Sequence, residues 1–440
     1  MILSGWGRYP RLNCRVSAPR SVEDLAARVA EGGLIARGNG RAYGDSATSA
    51  ANTVSMRHFN RMQEFDAEKG LLVAEAGVIL GDVISAFLPQ GWFPAVTPGT
   101  KFVTLGGMIA ADVHGKNHHR VGGLAKVLDW IEVMGPDGTV TRATRRKGAA
   151  LFKATLGGMG LTGPILRAGL RLQPVESGWI RQETIAAPNL GAAMDVFEER
   201  ADAPYSVAWI DCLAEGPSTG RSLVMLGEHA AVDDLPRPRR KTPFATPGKR
   251  RLSVPLDLPG FALSGPTVRA FNAMYYNRGV ARAGTALVDW DSYFYPLDAI
   301  LGWNRIYGRR GFVQFQCLLP PDAARAGLEA LLGATSSAGL GSFLAVLKKL
   351  GPSEGRLSFP AEGYTLALDF PAHPRALALM AELDRITLDH GGRFYLAKDA
   401  RLTAQTFHAA DPRAAAFRKT REGDGTAAAF ASTQSERLQL

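Results

Sequence analysis

Leu34-Ile35-Ala36-Arg37-Gly38-Asn39-Gly40-Arg41-Ala42-Tyr43-Gly44-Asp45-Ser46 carries a short apolar strand straight into a glycine-rich turn. Glycines at 38, 40 and 44 let successive backbone N–H groups point inward at one anion, and a diphosphate is the natural guest. Read alone, such a loop is weak evidence and is more often an ordinary turn. No Gly-Lys-Ser/Thr follows and the spacing is not GxGxxG, so a P-loop NTPase and a simple NAD-binding Rossmann unit are disfavoured.

Two more segments of this texture follow. Pro98-Gly99-Thr100 is a turn, and Thr104-Leu105-Gly106-Gly107 permits a helix start with its backbone close against a ligand. Ala111-Asp112-Val113-His114 follows, with His114 expected at the end of that helix. His114, Lys116, His118 and His119 then form a dense polar cluster. It reads as an active-site wall, with a solvated loop as the alternative; a zinc site is poorly supported for want of partner ligands. The third segment, Leu156-Gly157-Gly158-Met159-Gly160-Leu161-Thr162-Gly163-Pro164-Ile165, is again glycine-dense before a strand. Three such loops exceed what turns alone require. They suggest a large, extended, phosphate-bearing cofactor held mainly by backbone.

Around these loops the pattern mixes strands with short helices. Residues 21–32 read as a helix with Ser21 as N-cap, 71–78 as a strand and 81–91 as a helix. Residues 127–144 read as two strands around Pro136-Asp137-Gly138, a hairpin signal, and 163–175 as a further strand. From about 180 onwards strands alternate with longer amphipathic helices, including 376–392. The expected fold class is α+β in two domains. Residues 231–260 hold many prolines and two basic clusters, Arg237 to Lys241 and Lys249 to Arg251, and read as a long exposed loop. That loop is either simply solvated or a contact for an anionic headgroup.

The chain has 440 residues, 46% of them hydrophobic, with a formal charge of +10. This is globular composition with a basic surface. Nucleic acid is disfavoured because no recognition fold accompanies the charge. Cys14, Cys212 and Cys317 are widely spaced, which predicts neither a disulfide framework nor a zinc site and fits a reducing cytoplasm. The first residues, MILSGWGRYPRLN, have no uninterrupted apolar run and are not read as a signal peptide. No apolar stretch is long enough to span a bilayer, so any membrane contact is expected to be peripheral, at the inner face.

These segments resemble the FAD-binding domain of the vanillyl-alcohol oxidase / p-cresol methylhydroxylase superfamily. The resemblance sharpens in GNGRAYGD (38–45), HGKNHH (114–119), LFKATLGGMGLTGPI (151–165), PLDAILGWNRIYGRRGFVQFQ (296–316), LSFP (357–360) and AKDAR (397–401). Together they look like the decaprenylphosphoryl-β-D-ribose 2-oxidase family. The glycine loops are shared across the superfamily, whereas HGKNHH and AKDAR are specific to this group. The resemblance implies a PCMH-type FAD domain over 1–178, a substrate domain on an antiparallel sheet over 179–392, and a segment, 393–440, returning to the FAD domain. Residues 36–46 would cradle the diphosphate. Gly99, Thr104 to Gly107, Ala111 to His114, Ile165 and Tyr395 would line the rest of FAD.

Lys398 matches the family's active-site lysine, and a fixed ammonium suits the negative charge that a reduced flavin gains. His114 stands beside it as the second candidate for chemistry. Tyr43, Lys116, Gln314, Gln316 and Lys348 match residues lining the pocket, with Lys116 and Lys348 suited to a substrate phosphate. Asp369 reads as structural rather than catalytic. Many superfamily members bond flavin through a histidine in the first loop; Arg41 stands at that position, which predicts non-covalent FAD. Ala367 replaces a family cysteine that is the target of covalent inhibitors, and Thr365 stands where Asn is common. Activity should survive the first change. The implied reaction is oxidation of a secondary hydroxyl on a polyprenyl-phosphoryl pentose. A separate short-chain reductase would then complete an epimerisation to arabinose, for cell-wall arabinan. A soluble alditol or aldonolactone oxidase of the same fold is the alternative, and a non-catalytic basic surface-binding protein a third reading.

Overall fold

Ser21 caps its helix as its position predicts: the hydroxyl accepts from Asp24 N at 3.1 Å and the helix runs Val22–Val29. The computed structural model describes residues 1–249, 252–259 and 263–440. The helix leads into Leu34–Arg37, which joins Val16–Ser17 and Asn52–Ser55 in a parallel three-stranded sheet. The chain's far end closes on the same strand. Leu34 bridges Phe430, and Ala431 N donates to Leu34 O at 3.1 Å.

A second, antiparallel sheet has six strands. Its hairpin is the one predicted around Pro136-Asp137-Gly138, with Val140 opposite Met134. Ile165–Pro174 runs through its centre, flanked by Leu128–Met134 and Leu71–Glu75. Its inward residues Ile131, Val133, Ala168 and Leu170 share a core with the helix Leu80–Phe87.

The largest sheet has eight antiparallel strands. In spatial order they are Gly284–Asp289, Trp179–Ala187, Ser222–His229, Tyr205–Ile210, Ala345–Leu350, Gly363–Pro371, Phe312–Leu319 and Arg393–Phe394. Strand alternation gives this sheet two chemically distinct faces. Phe315, Cys317, Leu347, Leu366 and Leu368 share one apolar core with the helices Leu190–Glu199, Pro321–Ser337 and Pro374–Asp389. On the opposite side stand Gln314, Gln316, Lys348, Thr365, Ala367 and Asp369. The register sets Gln314 across from Asp369, Gln316 across from Ala367 and Lys348 across from Thr365. Polar side chains in mid-sheet are what a binding wall requires and a packing face does not.

Three details depart from the sequence reading. The segment 231–260 is not one continuous loop: Arg237–Arg240 forms a helical turn, and Leu252–Ser253 pairs in parallel with Ile300–Leu301. Its first basic cluster is exposed, but Lys249 turns inward and donates to Asp291 O at 2.7 Å and Tyr295 O at 3.0 Å. Arg250 and Arg251 lie outside the described residues. The helix expected to run to His114 stops at Ala110, because Asp112 takes a left-handed φ of 38° and turns the chain away. The eighth strand shows that Arg393 and Phe394 still belong to the large sheet. Cys14, Cys212 and Cys317 are all free and buried. Among the described residues no helix is long and apolar enough to cross a membrane.

Candidate active site

Between the glycine loops and the polar sheet face lies a cavity of about 660 Å³. From the first loop, Ala36, residues 38–43 and Ser46 line it. Arg37, Gly44 and Asp45 support the loop from behind instead. Arg37 donates to Ser4 O at 2.7 Å, Gly44 backs onto the Asp399 carbonyl, and Asp45 accepts from Arg437 at 2.7 and 3.0 Å. From the second segment Gly99, Thr104, Gly106 and Gly107 face the cavity, as do Ala111, Val113 and His114. Leu105 is instead buried in the core, and Asp112 is turned away to accept from the Ser358 hydroxyl. Ile165 and Tyr395 complete this wall, with Tyr395 OH donating to Ala111 O at 3.0 Å.

The loops fit an extended dinucleotide by two tests internal to the chain. Gly38 allows the loops to clasp: a Cβ there would lie 2.2 Å from Thr104 Oγ1, the atom that caps Gly107 N at 3.2 Å. The backbone at 38 therefore stays flush with the second loop and leaves its N–H groups to a guest. A Cβ at Gly99 would meet nothing within 4 Å, so the space its Cα faces in the cavity is open. The second test is polar satisfaction. Ser46 Oγ, Thr97 Oγ1, Arg41 Nε and His114 Nδ1 are buried without partners, and all four residues line the cavity. Buried groups of this kind normally find partners, and a polar ligand supplies them.

The cavity gathers basic side chains, Lys348 on the sheet and Lys116 and Lys398 on loops. Lys116, Lys348 and Lys398 all line the cavity. Burial, with Lys348 and Lys249 nearby, lowers the Lys116 pKa to about 7. Burial alone lowers that of Lys348 to about 8. Lys398 is lowered as well, by burial first and by Lys348, while the buried carboxylate of Asp369 opposes the shift. Burial raises the Asp369 pKa; Gln314 donates to that carboxylate and Tyr307 OH lies 3.5 Å from it. Lys398 Nζ sits 3.6 Å from the centre of the Tyr43 ring, and Lys116 Nζ lies 4.1 Å from that of Tyr293. Burial, with Lys348, His118 and Lys398 around it, pushes His114 well below the usual imidazole range, so its ring is neutral. Gln316 Nε2 lies 3.3 Å from His114 Nε2 and 3.2 Å from Thr365 Oγ1. If Gln316 donates to Nε2, the ring proton sits on the unpartnered Nδ1, a donor ready for a ligand.

The structure divides the polar cluster 114–119. His114 and Lys116 face the cavity, whereas His118 Nδ1 accepts from Gly351 N at 3.1 Å and His119 Nε2 lies 3.0 Å from Ala203 O. Among the described residues no group of three His, Cys, Asp or Glu side chains could hold a metal ion. Sequence reasoning missed Trp6, Trp209 and Tyr275 as lining residues, which lie in no motif. It also passed over Asp369 as a neighbour of Lys398, although the alternation Thr365, Ala367, Asp369 placed all three on one strand face.

Residues 15–144 match the family of FAD binding domains. Loops, cavity and match together define an FAD-dependent oxidoreductase with a PCMH-type FAD domain. The chain is 35% identical over its whole length to the decaprenylphosphoryl-β-D-ribose oxidase of Mycolicibacterium smegmatis, covering 97% of that protein. It belongs to the decaprenylphosphoryl-β-D-ribose oxidase family. A Streptomyces coelicolor protein encoded in the mprA 5′ region is 34% identical over 80% of this chain and 97% of its own length. The L-gulonolactone oxidase of Mus musculus is 30% identical over 31% of each chain.

Proposed function

We propose that this chain oxidises a secondary hydroxyl on a polyprenyl-phosphoryl pentose, the first half of an epimerisation that a separate short-chain reductase completes. FAD would be held by the units 1–178 and 393–440, and the sugar by 179–392. The observation that carries the substrate reading is the excess of basic over acidic side chains in the cavity lining. Lys116, Lys348 and Lys398 line the cavity against one lining carboxylate among the described residues, Asp298, while Asp369, whose charge acts on Lys398, does not line it. Buried cations without counter-ions are costly, and a bound phosphate relieves that cost.

Lys116 and Lys348 would take the phosphate. Gln314, Gln316 and the Nδ1 of His114 would hold sugar hydroxyls. Bound FAD supplies the hydride acceptor, at N5. Lys398, whose pKa burial lowers, takes the hydroxyl proton on Nζ as the carbon loses its hydride. The ammonium so formed stays beside Tyr43 and balances the negative charge that reduction brings into the cavity. Tyr43 itself stays a neutral phenol, because burial and the nearby Asp369 raise its pKa well above the usual range.

Anaerobic mixing with defined substrates tests this reading. A polyprenyl-phosphoryl ribose should bleach the visible flavin absorbance, while the same pentose without its phosphate, and free alditols, should not. Equal bleaching by an alditol or a free aldonolactone would replace the lipid-phosphate reading with that of a soluble sugar oxidase.

A further inference from the structure

We infer that the rim of the active-site cavity is a docking surface for an anionic phospholipid bilayer. Most of the large apolar side chains that the described chain exposes fall between residues 252 and 301. Leu256 is 74% exposed, Leu252 63% and Met274 61%. Leu252 and Met274 come from a short ribbon and a helix that each send a residue to the cavity lining, and Leu256 follows the ribbon. On the helix Gly265–Val280, Val268 and Asn272 are buried and the Tyr276 hydroxyl donates to Ala187 O, which leaves Phe271, Met274, Tyr275 and Arg278 as an outward stripe at helical spacing. The ribbon Leu252–Ser253 paired with Ile300–Leu301 carries Leu252 and Leu301. Tyr275 and Leu301 each line the cavity and remain 39% exposed, so they mark its mouth.

The charge around this patch names the occupant. Arg278, Arg282, Arg305, Arg309 and Arg310 are exposed, and none makes an ion pair with another described residue. The carboxylates of the same stretch are already engaged. Asp257 pairs with Arg8, Asp289 caps Ser292 N, Asp291 pairs with Lys101, and Asp298 accepts from Lys101 N. Arg305 does donate to Val254 O and Pro255 O and, with Arg309, acts on Asp257. Apolar side chains that can enter an acyl boundary, beside exposed arginines in no ion pair with another described residue, suit an anionic lipid surface. Such a surface is also where a substrate with a polyprenyl tail would be presented, and to that extent the inference rests on the proposed function. A cavity that opens into the bilayer face lets the phosphoryl sugar reach the lysines while the tail stays in lipid.

Vesicle sedimentation of the whole flavin-loaded protein tests this without any substrate. The protein should bind equimolar phosphatidylglycerol–phosphatidylcholine vesicles, stay at background on phosphatidylcholine alone, and lose affinity as salt rises. Met274→Ser combined with Leu256→Ser should weaken binding about tenfold or more. Arg278→Gln and Arg282→Gln should each weaken it roughly fivefold. Val140→Ser, an exposed apolar residue on the distant hairpin, should change nothing. All these positions are exposed, and unchanged flavin content verifies that the variants are folded. Background binding by the unaltered protein, or equal binding by the Met274/Leu256 variant, overturns the inference and leaves a protein partner as the occupant. If vesicle binding holds but a short-chain phosphoryl pentose fails to bleach the flavin, the substrate reading falls and the docking surface stands.

Discussion

Lys398 sits where burial and charge oppose each other. Desolvation lowers its pKa, Lys348 lowers it further, and Asp369 raises it; Tyr43 and His114 are its other polar neighbours. If neutral Lys398 takes the hydroxyl proton, flavin reduction must speed up as pH rises through that depressed pKa. Asp369→Asn removes the group that props the pKa up, so the acidic limb of the reductive half-reaction should move to lower pH. Lys348→Met removes a like charge and should move the same limb to higher pH. Stopped-flow pH profiles under saturating substrate check both, and shifts of the same sign in the two variants would remove Lys398 from the role of base. Lys398→Ala should cost about 10²–10⁴-fold in the rate of reduction, the range for losing a positioned proton acceptor. Ala367 carries a separate prediction. It lines the cavity where a thiol would be open to attack, and the cysteine on the neighbouring strand, Cys317, points into the core with its pKa raised to about 12 by burial. Thiol-trapping electrophiles should therefore leave the intact mass unchanged, and Ala367→Cys should acquire one adduct.

At the scale of elements, the glycine loops announce themselves locally in the sequence, and the structure brings two of them together at Gly38. Gly38→Ala makes the point testable. A Cβ there would meet Thr104 Oγ1 at 2.2 Å, so the two loops must part. FAD occupancy of the purified variant should drop well below that of the parent, with the fold retained by circular dichroism. The flavin that is bound should come free on acid precipitation. The resemblance sets Arg41 at the position of a covalent histidine; its guanidinium lies 4.2 Å from the centre of the Trp6 ring and 5.0 Å from that of Phe102, with no imidazole nitrogen to attack a flavin methyl. Flavin remaining in the pellet would contradict this. The Ser21 cap, the hairpin at 127–144 and the amphipathic helix Pro374–Asp389 were equally legible, each from periodicity or turn chemistry within a few residues. What the sequence hid depends on register between distant strands. Asp369 meets Gln314 only because the strands Phe312–Leu319 and Gly363–Pro371 pair in one alignment. His114 and His118 part company only because Asp112 ends the helix early.

On the scale of the whole molecule the two ends of the chain converge on the cofactor loop, and Arg437 is the clamp. Its guanidinium reaches Asp45 in the first glycine loop at 2.7 Å and Asp399, next to Lys398, at 2.9 Å. Tyr43 N also donates to Ala397 O at 2.9 Å, which ties the loop to the residue before the active-site lysine. No local pattern announces this tie, which spans nearly the whole chain. Both carboxylates are almost fully buried, and removing a partner from a buried pair leaves uncompensated charge at a cost of about 3–5 kcal/mol. Arg437→Gln should lose stability on that order in denaturant titration and release FAD more readily, while Arg437→Lys should recover only part, since an ammonium lacks the planar fork that pairs Nε and Nη2 with the two oxygens of Asp45. The acid side gives an independent reading. Burial would raise the Asp399 pKa, but Arg437 and the backbone N–H groups of Arg401 and Leu402 hold it below the usual carboxylate value. A depressed folded-state pKa contributes stability that is present above the unfolded value and lost as pH falls through the folded one. In Arg437→Gln that protection disappears, so its acid-unfolding midpoint should lie at higher pH than that of the parent protein. Superimposable acid-unfolding curves would mean that the clamp is not what joins the two ends.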